Sequence, residues 1–376
     1  MVEVTNYIDR LVAELCPDGV DYHPLGSLGN RNKGTAITAA KMRSLEPGNK
    51  DLRIFAAGST FVDTDSSNIP AKDILHGPAI IVKSRGYIGF EYYEKSFTHK
   101  NEMWSYTLDS SIVDQKFIYY YLLTQAYYLQ ELARSKSVKL PQLSVKDTDS
   151  LEVPVPPLEI QEAIVEILDK FTNLEAELEA ELEARTLQYE YYRDSLFEAL
   201  DCPRVPLDSF AKIKNGKTYK DFGAGNIPVY GSGGIMTYVD RSSYDKPTVL
   251  IPRKGSLGNL FYLEEPFWNV DTIFYTEIDE EQVIPKFLYY FLKTAHLEDL
   301  NTAGGVPSLT QKVLNKVLIP VPSLEEQQRI VDILDRFDAL TSSLSEGLPA
   351  ELAARRSQYE YYRDQLLTFP RKGENQ

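Results

Sequence analysis

The residues best suited to chemistry in this chain are cations and amides that follow apolar runs. Lys83-Ser84-Arg85-Gly86 comes directly after the run Ala79 to Val82, and Arg253-Lys254-Gly255 stands just beyond Thr248 to Ile251. A strand that ends in a basic residue and a glycine makes a loop able to approach a phosphate or a base edge. Arginine against guanine O6 and N7 is the commonest specific contact of that kind. Lys136, Lys139 and Gln142 stand in a second loop, matched by Ser308, Thr310, Gln311 and Lys312. Glutamine can pair with adenine, whereas lysine and serine usually position the nucleic-acid backbone. Lys212, Lys214, Lys217 and Lys220 are spaced too evenly for a base-reading cluster and suit phosphates better. Ser232, within Gly231-Ser232-Gly233-Gly234, lies in a run that could bring backbone amides to DNA and equally suits a hairpin turn. Each of these segments also fits an ordinary solvated turn.

Catalytic patterns are missing. There is no Gly-x-x-x-x-Gly-Lys-Ser/Thr loop, no Gly-x-Gly-x-x-Gly run between strand and helix, and no Asn/Asp-Pro-Pro-Tyr/Phe run. The four histidines, His23, His76, His99 and His296, are scattered without metal-ligand spacing. No metal site and no catalytic residue is proposed. A divergent DNA-modifying enzyme and a protein-binding coiled-coil scaffold stand as the alternatives to a DNA-binding protein.

The elements that must hold these loops occur twice. Gln188-Tyr189-Glu190-Tyr191-Tyr192-Arg193-Asp194 returns unchanged as Gln358-Tyr359-Glu360-Tyr361-Tyr362-Arg363-Asp364. Pro154 to Glu159 answers Pro320 to Glu325, and Ile164 to Asp169 answers Ile330 to Asp335. Weaker matches lie upstream: Ile80 to Gly89 with Val249 to Gly258, Phe117 to Leu122 with Phe287 to Leu292, and Pro141 to Ser144 with Pro307 to Thr310. A repeat of this length occurring twice makes two modules rather than a solenoid. The pattern before Cys16-Pro17 matches the one before Cys202-Pro203, so the N-terminal stretch reads as the end of a helical repeat that begins near the C-terminus. That cyclic order predicts that the two chain ends meet.

The run from 159 to 200 is a helix on its periodicity. Ile164, Leu168, Phe171, Leu174, Leu178 and Leu182 recur at helical spacing, with Ala and Glu between them. Its counterpart carries Leu340, Leu344, Leu348 and Leu352, and Gly347-Leu348-Pro349 predicts a break there. Two helices with one apolar stripe each bury those stripes most economically by antiparallel packing. The modules themselves alternate short β-branched runs with glycine turns. Each adds one aromatic helix, Phe117 to Leu132 or Phe287 to Leu297. Trp104 and Trp268 are expected in the core. The fold class is therefore mixed α/β: two similar α/β domains separated by two long helices packed as an antiparallel coiled coil, in a pseudo-twofold cyclic arrangement. The domains are expected at 1–157 (with a short helix over 4–15) and 201–323. Helical regions are expected at 158–200 and 324–369, with a tail at 370–376.

Of the net charge of −15, −12 falls within 159–200 and 324–376, so the modules are nearly neutral. A glutamate-rich helical face repels phosphate, so any DNA must bind the modules. Two cysteines at module edges and the lack of a leader or spanning segment point to a soluble protein of the cytoplasm, away from membranes.

Taken whole, the chain resembles the specificity (S) subunit of a Type I restriction-modification system. The resemblance rests on Pro154 to Gln161 and Pro320 to Gln327, on Ile167 to Phe171 and Ile333 to Phe337, and on the repeated Gln-Tyr-Glu-Tyr-Tyr-Arg-Asp run. It implies two target recognition domains, each reading one half of a split, non-palindromic target in double-stranded DNA. It implies that the chain does no chemistry and binds no cofactor itself. S-adenosylmethionine is expected on two partner methyltransferase (M) subunits, with restriction/translocase (R) subunits joining for cleavage. Tyr189, Tyr191, Tyr192, Arg193, Tyr359, Tyr361, Tyr362 and Arg363 are then the expected methyltransferase contacts, since Tyr and Arg are enriched in hot spots. Packing at the end of a coiled coil would use the same residues.

The leucine units over 174–185 resemble spacer-setting repeats. Duplicating Leu178-Glu179-Ala180-Glu181 adds roughly 6 Å of helical rise and only about 40° of drift, so the stripe keeps its facing. Methylation-site sequencing should show the gap between half-sites widened by about one or two base pairs at about 3.4 Å each, with both halves unchanged. An unchanged gap at full activity would refute the ruler.

Overall fold

The structure, a computed structural model, describes residues 2–45, 50–137, 139–301, 305–341 and 347–373. The chain divides into two compact units, one of Met1–Ala176 with Ala354–Gln376 and the other of Glu177–Ala353.

Each unit is built on the same plan. In the first, a four-stranded antiparallel sheet runs in the order Gly29–Lys33, Trp104–Leu108, Ala79–Lys83, Gly89–Tyr93. A three-stranded sheet places Leu52–Phe55 between Phe61–Thr64 and Phe97–His99, the last pair being parallel. The second unit repeats both. Its larger sheet runs Ala211–Asn215, Ile273–Ile278, Thr248–Pro252, Phe261–Leu263, and its smaller one places Ile227–Gly231 between Gly234–Val239 and Trp268–Asn269.

The uninterrupted apolar runs at the heart of each unit have a simple cause. Side chains of a strand alternate between faces, and both faces of these strands are buried. Ile80 and Val82 join a core with Phe117, Tyr120 and Leu122, while Ala79 and Ile81 join another with Phe55, Phe97 and Met103. Val249 and Ile251 face Phe287 and Tyr290, while Leu250 faces Phe267 and Ile273. Each such fully buried side chain contributes about 1.5–3 kcal/mol.

The aromatic helices are shorter than their periodicity suggests. In place of one helix from Phe117 to Leu132, the first unit has Gln115–Thr124 and Ala126–Ser135, broken at Gln125. There the Thr124 hydroxyl donates to the Tyr121 carbonyl and the Gln125 amide donates to Thr124 Oγ1, side-chain bonds that compete with the helical ladder. In the second unit Pro285–Thr294 ends before His296, which takes a left-handed φ of 43°, and a 3-10 turn follows at Leu297–Leu300. Trp104 is buried as expected. Trp268 is instead half-exposed at a sheet edge, its ring edge-on to Phe222 at 4.5 Å between centroids.

Leu158–Glu198 is a single helix of 41 residues, giving its first part to one unit and its second to the other. In the first unit it lies antiparallel to the end of Gly347–Leu366. Phe171 stacks on Tyr362 at 5.8 Å, and one turn further along Glu175 pairs with Arg356 at 2.6 Å. In the second unit Tyr192 stacks on Phe337 of Leu324–Thr341, also at 5.8 Å. Leu344 lies outside the described residues. One helix is described as far as Thr341 and the next from Gly347, and residues 342–346 between them lie outside the described residues. Pro349 falls in the first turn of Gly347–Leu366, where its missing N–H costs nothing. Gly347 has φ 76°, and a Cβ there would meet the Ala339 and Leu340 carbonyls.

The chain ends meet in the first unit, as the cyclic repeat requires. Val20 N–H donates to the Pro370 carbonyl at 2.8 Å, Lys372 N–H donates to Val20, and Tyr22 Oη donates to Phe369. No helix among the described residues is long and apolar enough to cross a membrane.

Two repeated polar clamps fasten each module to its helix. Gln161, fully buried, accepts from Asp114 N–H at 2.7 Å and donates to the Pro156 and Ile112 carbonyls. Gln327, equally buried, accepts from Ile284 N–H at 2.8 Å and donates to Pro322 and Gln282. Asp169 receives Tyr120 Oη and Lys116 Nζ at 2.5 and 2.7 Å, and Asp335 receives Tyr290 and Lys286 at 2.6 and 2.9 Å. Burial, and then the carboxylate partner, pushes both phenols well above their usual range.

Gln161→Leu would take its partner from the Asp114 N–H and from the Ile112 and Pro156 carbonyls, the last of these buried, so denaturant unfolding should show a loss of about 1–3 kcal/mol. Glu162→Gln, one residue away and exposed, should change stability by less than about 0.5 kcal/mol. His99 supplies a pH test. It is fully buried, with its ring nitrogens on the Lys100 carbonyl and the Ser105 hydroxyl, and desolvation holds its pKa below the usual value. The unfolded chain therefore binds the extra proton first. Stability should hold above about pH 6.5 and fall as pH drops below it. A variant His99→Gln should lose that acid-side slope in unfolding measured against pH.

Candidate nucleic-acid interface

The structure joins the candidate loops in pairs. In the first unit Arg85 and Gln142 form a backbone bridge, Gly86 N–H donates to Pro141, and Leu143 N–H donates to Ser84. The exposed Arg85 guanidinium also donates to Gln142 Oε1 at 3.3 Å, so cation and amide present one surface. The turn needs a left-handed residue, and Gly86 supplies it with φ 79°. Tyr87 and Leu140 stand exposed beside it. Lys139 is exposed. Lys83 is tied to Glu91 at 2.7 Å, and Lys136 is paired with Asp147. Ser84 is turned inward, fully covered, with its hydroxyl donating to the Glu102 carbonyl. It shapes the loop from inside.

The second unit repeats the joint. Lys254 bridges Ser308, Gly255 N–H donates to Pro307, and Leu309 N–H donates to Arg253. Gly255 has φ 84°. Lys254 and Lys312 are exposed, while Arg253 is half-buried with its guanidinium 5.9 Å from the Phe274 ring. Ser308 N–H donates to Asn301 Oδ1. Thr310 caps the short helix Gln311–Leu314, and Gln311 donates to the Ile213 carbonyl at 3.1 Å, so both are occupied locally. Ser232 lies in the turn between Ile227–Gly231 and Gly234–Val239, and its side chain reaches the position above Gly255. Lys212 and Lys214 sit on the strand Ala211–Asn215, with Lys214 held by Glu277 at 3.2 Å, whereas Lys217 and Lys220 are exposed in the loop after it. The lysine series lies on its own strand and following loop, and Gln311 ties that strand to the second surface through the Ile213 carbonyl.

Sequence reasoning missed Thr272. Its hydroxyl accepts from Ser232 N–H and its carbonyl accepts from the N–H groups of Arg253 and Lys254, which makes it the knot of the second surface. Both members of each loop pair recur in the second half, Gly86 as Gly255 and Pro141 as Pro307, but at different offsets, and no repeated residue marks Thr272.

The helix-borne tyrosines divide into two roles in each copy, although Tyr192 is more exposed than its counterpart Tyr362. Tyr189 and Tyr359 pack inward against Phe337 and Phe171, with Arg193 and Arg363 over their rings at 5.7 and 5.6 Å. Those arginines pair with Asp194 and Asp364. Burial pushes the Tyr359 phenol up to about 12. Tyr192 and Tyr362 stack on the same two phenylalanines. Tyr191 and Tyr361 are left outside, 69% and 59% exposed, each edge-on to the next tyrosine.

The chain is thus two like α/β modules, each fastened to a helix and each presenting a pair of joined polar loops. Residues 17–184 and 201–354 match the type I restriction modification DNA specificity domain. The chain is 33% identical to the specificity subunit of the type I restriction enzymes EcoR124I/EcoR124II of Escherichia coli, over 97% of this chain and 98% of that one. It is 33% identical to a putative type I restriction enzyme specificity subunit of Haemophilus influenzae, over 68% of this chain and 73% of that protein. Its fold resembles the crystal structure of a type I restriction-modification S subunit from M. genitalium, with a TM-score of 0.60 at 21% identity, over 93% and 96% of the two chains. This chain belongs to the type I restriction-modification DNA specificity family.

The Tyr189 hydroxyl is buried and makes no hydrogen bond of good geometry, with Arg193 a polar neighbour. Tyr189→Phe should therefore leave thermal stability unchanged or raise it by up to about 1 kcal/mol. A drop of that size would show that the hydroxyl is bonded.

Proposed function

We propose that this chain is the non-catalytic, sequence-reading subunit of a type I restriction-modification complex, each module reading one half of a split double-stranded target. One observation carries the reading. The two modules share strand order, clamps and loop joints, yet their presented residues differ: Arg85 with Gln142 in one, Lys254 with Ser308 in the other. Equal scaffolds with unequal contact residues suit a target in two unlike parts.

The helices serve the partners. Exposed Tyr191 and Tyr361, repeated in matching settings, suit two copies of one methyltransferase subunit, which carries S-adenosylmethionine. Restriction/translocase subunits then join the same complex. The acidic helices keep phosphate away, so DNA affinity is largely delivered by the assembled complex.

The isolated chain should bind its target weakly at physiological salt, and adding methyltransferase subunits should tighten binding, with affinity falling as salt rises. Fluorescence anisotropy checks this, and tight, sequence-specific binding by the chain alone would contradict it. Tyr191→Ala with Tyr361→Ala should weaken methyltransferase binding by roughly thirtyfold, the size of a 2 kcal/mol hot spot, with the melting temperature unchanged. Calorimetric titration of the variant reads both stoichiometry and affinity.

A further inference from the structure

The strand Gly234–Val239 is the outer strand of its sheet, and it carries apolar side chains into solvent. Ile235, Met236 and Tyr238 are 50%, 58% and 52% exposed. An open strand edge bearing apolar residues is a liability unless something covers it. The surroundings name the occupant. The Met236 Sδ lies 2.8 Å from where a Cβ on Gly231 would stand, and Thr272 Oγ1 lies 3.4 Å from the same point. The Thr272 hydroxyl accepts from Ser232 at the hairpin turn, and its carbonyl accepts from Arg253 and Lys254. Asn259 Nδ2 donates to the Ser232 carbonyl at 3.1 Å and closes the group. Met236, left unpaired where the register shifts opposite Val229 and Tyr230, therefore adjoins the basic loop through one threonine, with the exposed Ile235 next to it on the strand.

Resting on the proposed function, we infer that Ile235 and Met236 are specificity-determining residues for the half-site read by the second module, touching apolar base edges in a groove of the duplex. A polyanion explains why cations and apolar side chains adjoin. The exposed Lys254 meets phosphate, and the apolar residues beyond it meet the thymine methyl group, the one apolar mark displayed in the major groove. At the tip, Gly233 has no atom within 4 Å of where its Cβ would be, so the turn approaches the duplex without a side chain in the way.

The first module handles the corresponding hairpin differently. Phe61, 48% exposed, is covered by the Arg53 guanidinium at 3.9 Å, and Arg53 is held in turn by both oxygens of Asp63. Its tip presents a stacked cation where the second presents bare Ile and Met. The two hairpins therefore read different bases.

The test uses the complete methyltransferase complex carrying Ile235→Ser with Met236→Ser, alongside Met236→Thr alone. Sequencing of methylated DNA should show a motif relaxed at one or more positions of one half, the other half and the gap being unchanged. On the original target, kcat/KM should fall about tenfold, the cost of one mismatched contact. The melting temperature should stay within about 2 °C of the parent, and if the double variant melts lower, Met236→Thr carries the same expectation. An unaltered motif methylated at the parental rate overturns the inference. So does loss of methyltransferase subunits from a variant that melts normally, because Ile235 and Met236 would then face protein. A parent complex that methylates no bipartite motif would sink the proposed function instead, which keeps the two failures apart.

Discussion

The structure depends on a clamp of one buried glutamine and one partly exposed aspartate that appears once in each unit. Gln161 and Gln327 each bind three backbone groups, including the N–H that opens the aromatic helix. Asp169 and Asp335, two turns further along, bind a tyrosine and a lysine on that same helix. Neither residue is exchangeable for an apolar one without leaving buried polar groups unpaired. The clamp fixes a module to its helix at two points, and two points set an orientation as well as a distance. Two of the repeated motifs are therefore fastenings, and the readers hang from them.

The repeat was legible because its fastenings are polar residues in fixed company: Pro-x-Pro before Gln161 and Gln327, and Ile-Leu before Asp169 and Asp335. The long helix and its antiparallel packing were legible from leucine spacing, and the mixed α/β class from short apolar runs between glycines. The two-sided burial of Ala79 to Val82 was not, because an uninterrupted run reads alike for any fully buried strand. The break at Gln125 depends on two local side-chain bonds that periodicity does not register. At the candidate surface, the sequence supplied the right loops without their joints. Ser84 looks like part of a basic cluster and in fact faces inward, its hydroxyl held by the Glu102 carbonyl. Lys83, Lys136 and Lys214 are cations in composition and ion-pair members in space. Distant pairings of this kind come from the fold, and no local pattern announces them.

The tyrosine run shows how one motif serves two ends. A helix sends successive residues to different sides, so Tyr189 and Tyr192 reach Phe337 while Tyr191 stands clear, and Tyr359, Tyr362 and Tyr361 do the same around Phe171. Subunit packing and partner binding are therefore interleaved in one sequence. Surface variation in the modules is decoupled from this arrangement, because none of the paired loops contributes to a clamp.

That decoupling is the central claim, and exchanging one module tests it most directly. Residues 201–323 would be replaced by the equivalent module of another specificity subunit, keeping the Gln327 and Asp335 fastenings. The methylated motif of the assembled complex is then sequenced. The account predicts one half of the motif replaced, with the other half and the gap retained. Simultaneous change in both halves would show that the modules do not read independently and would contradict it.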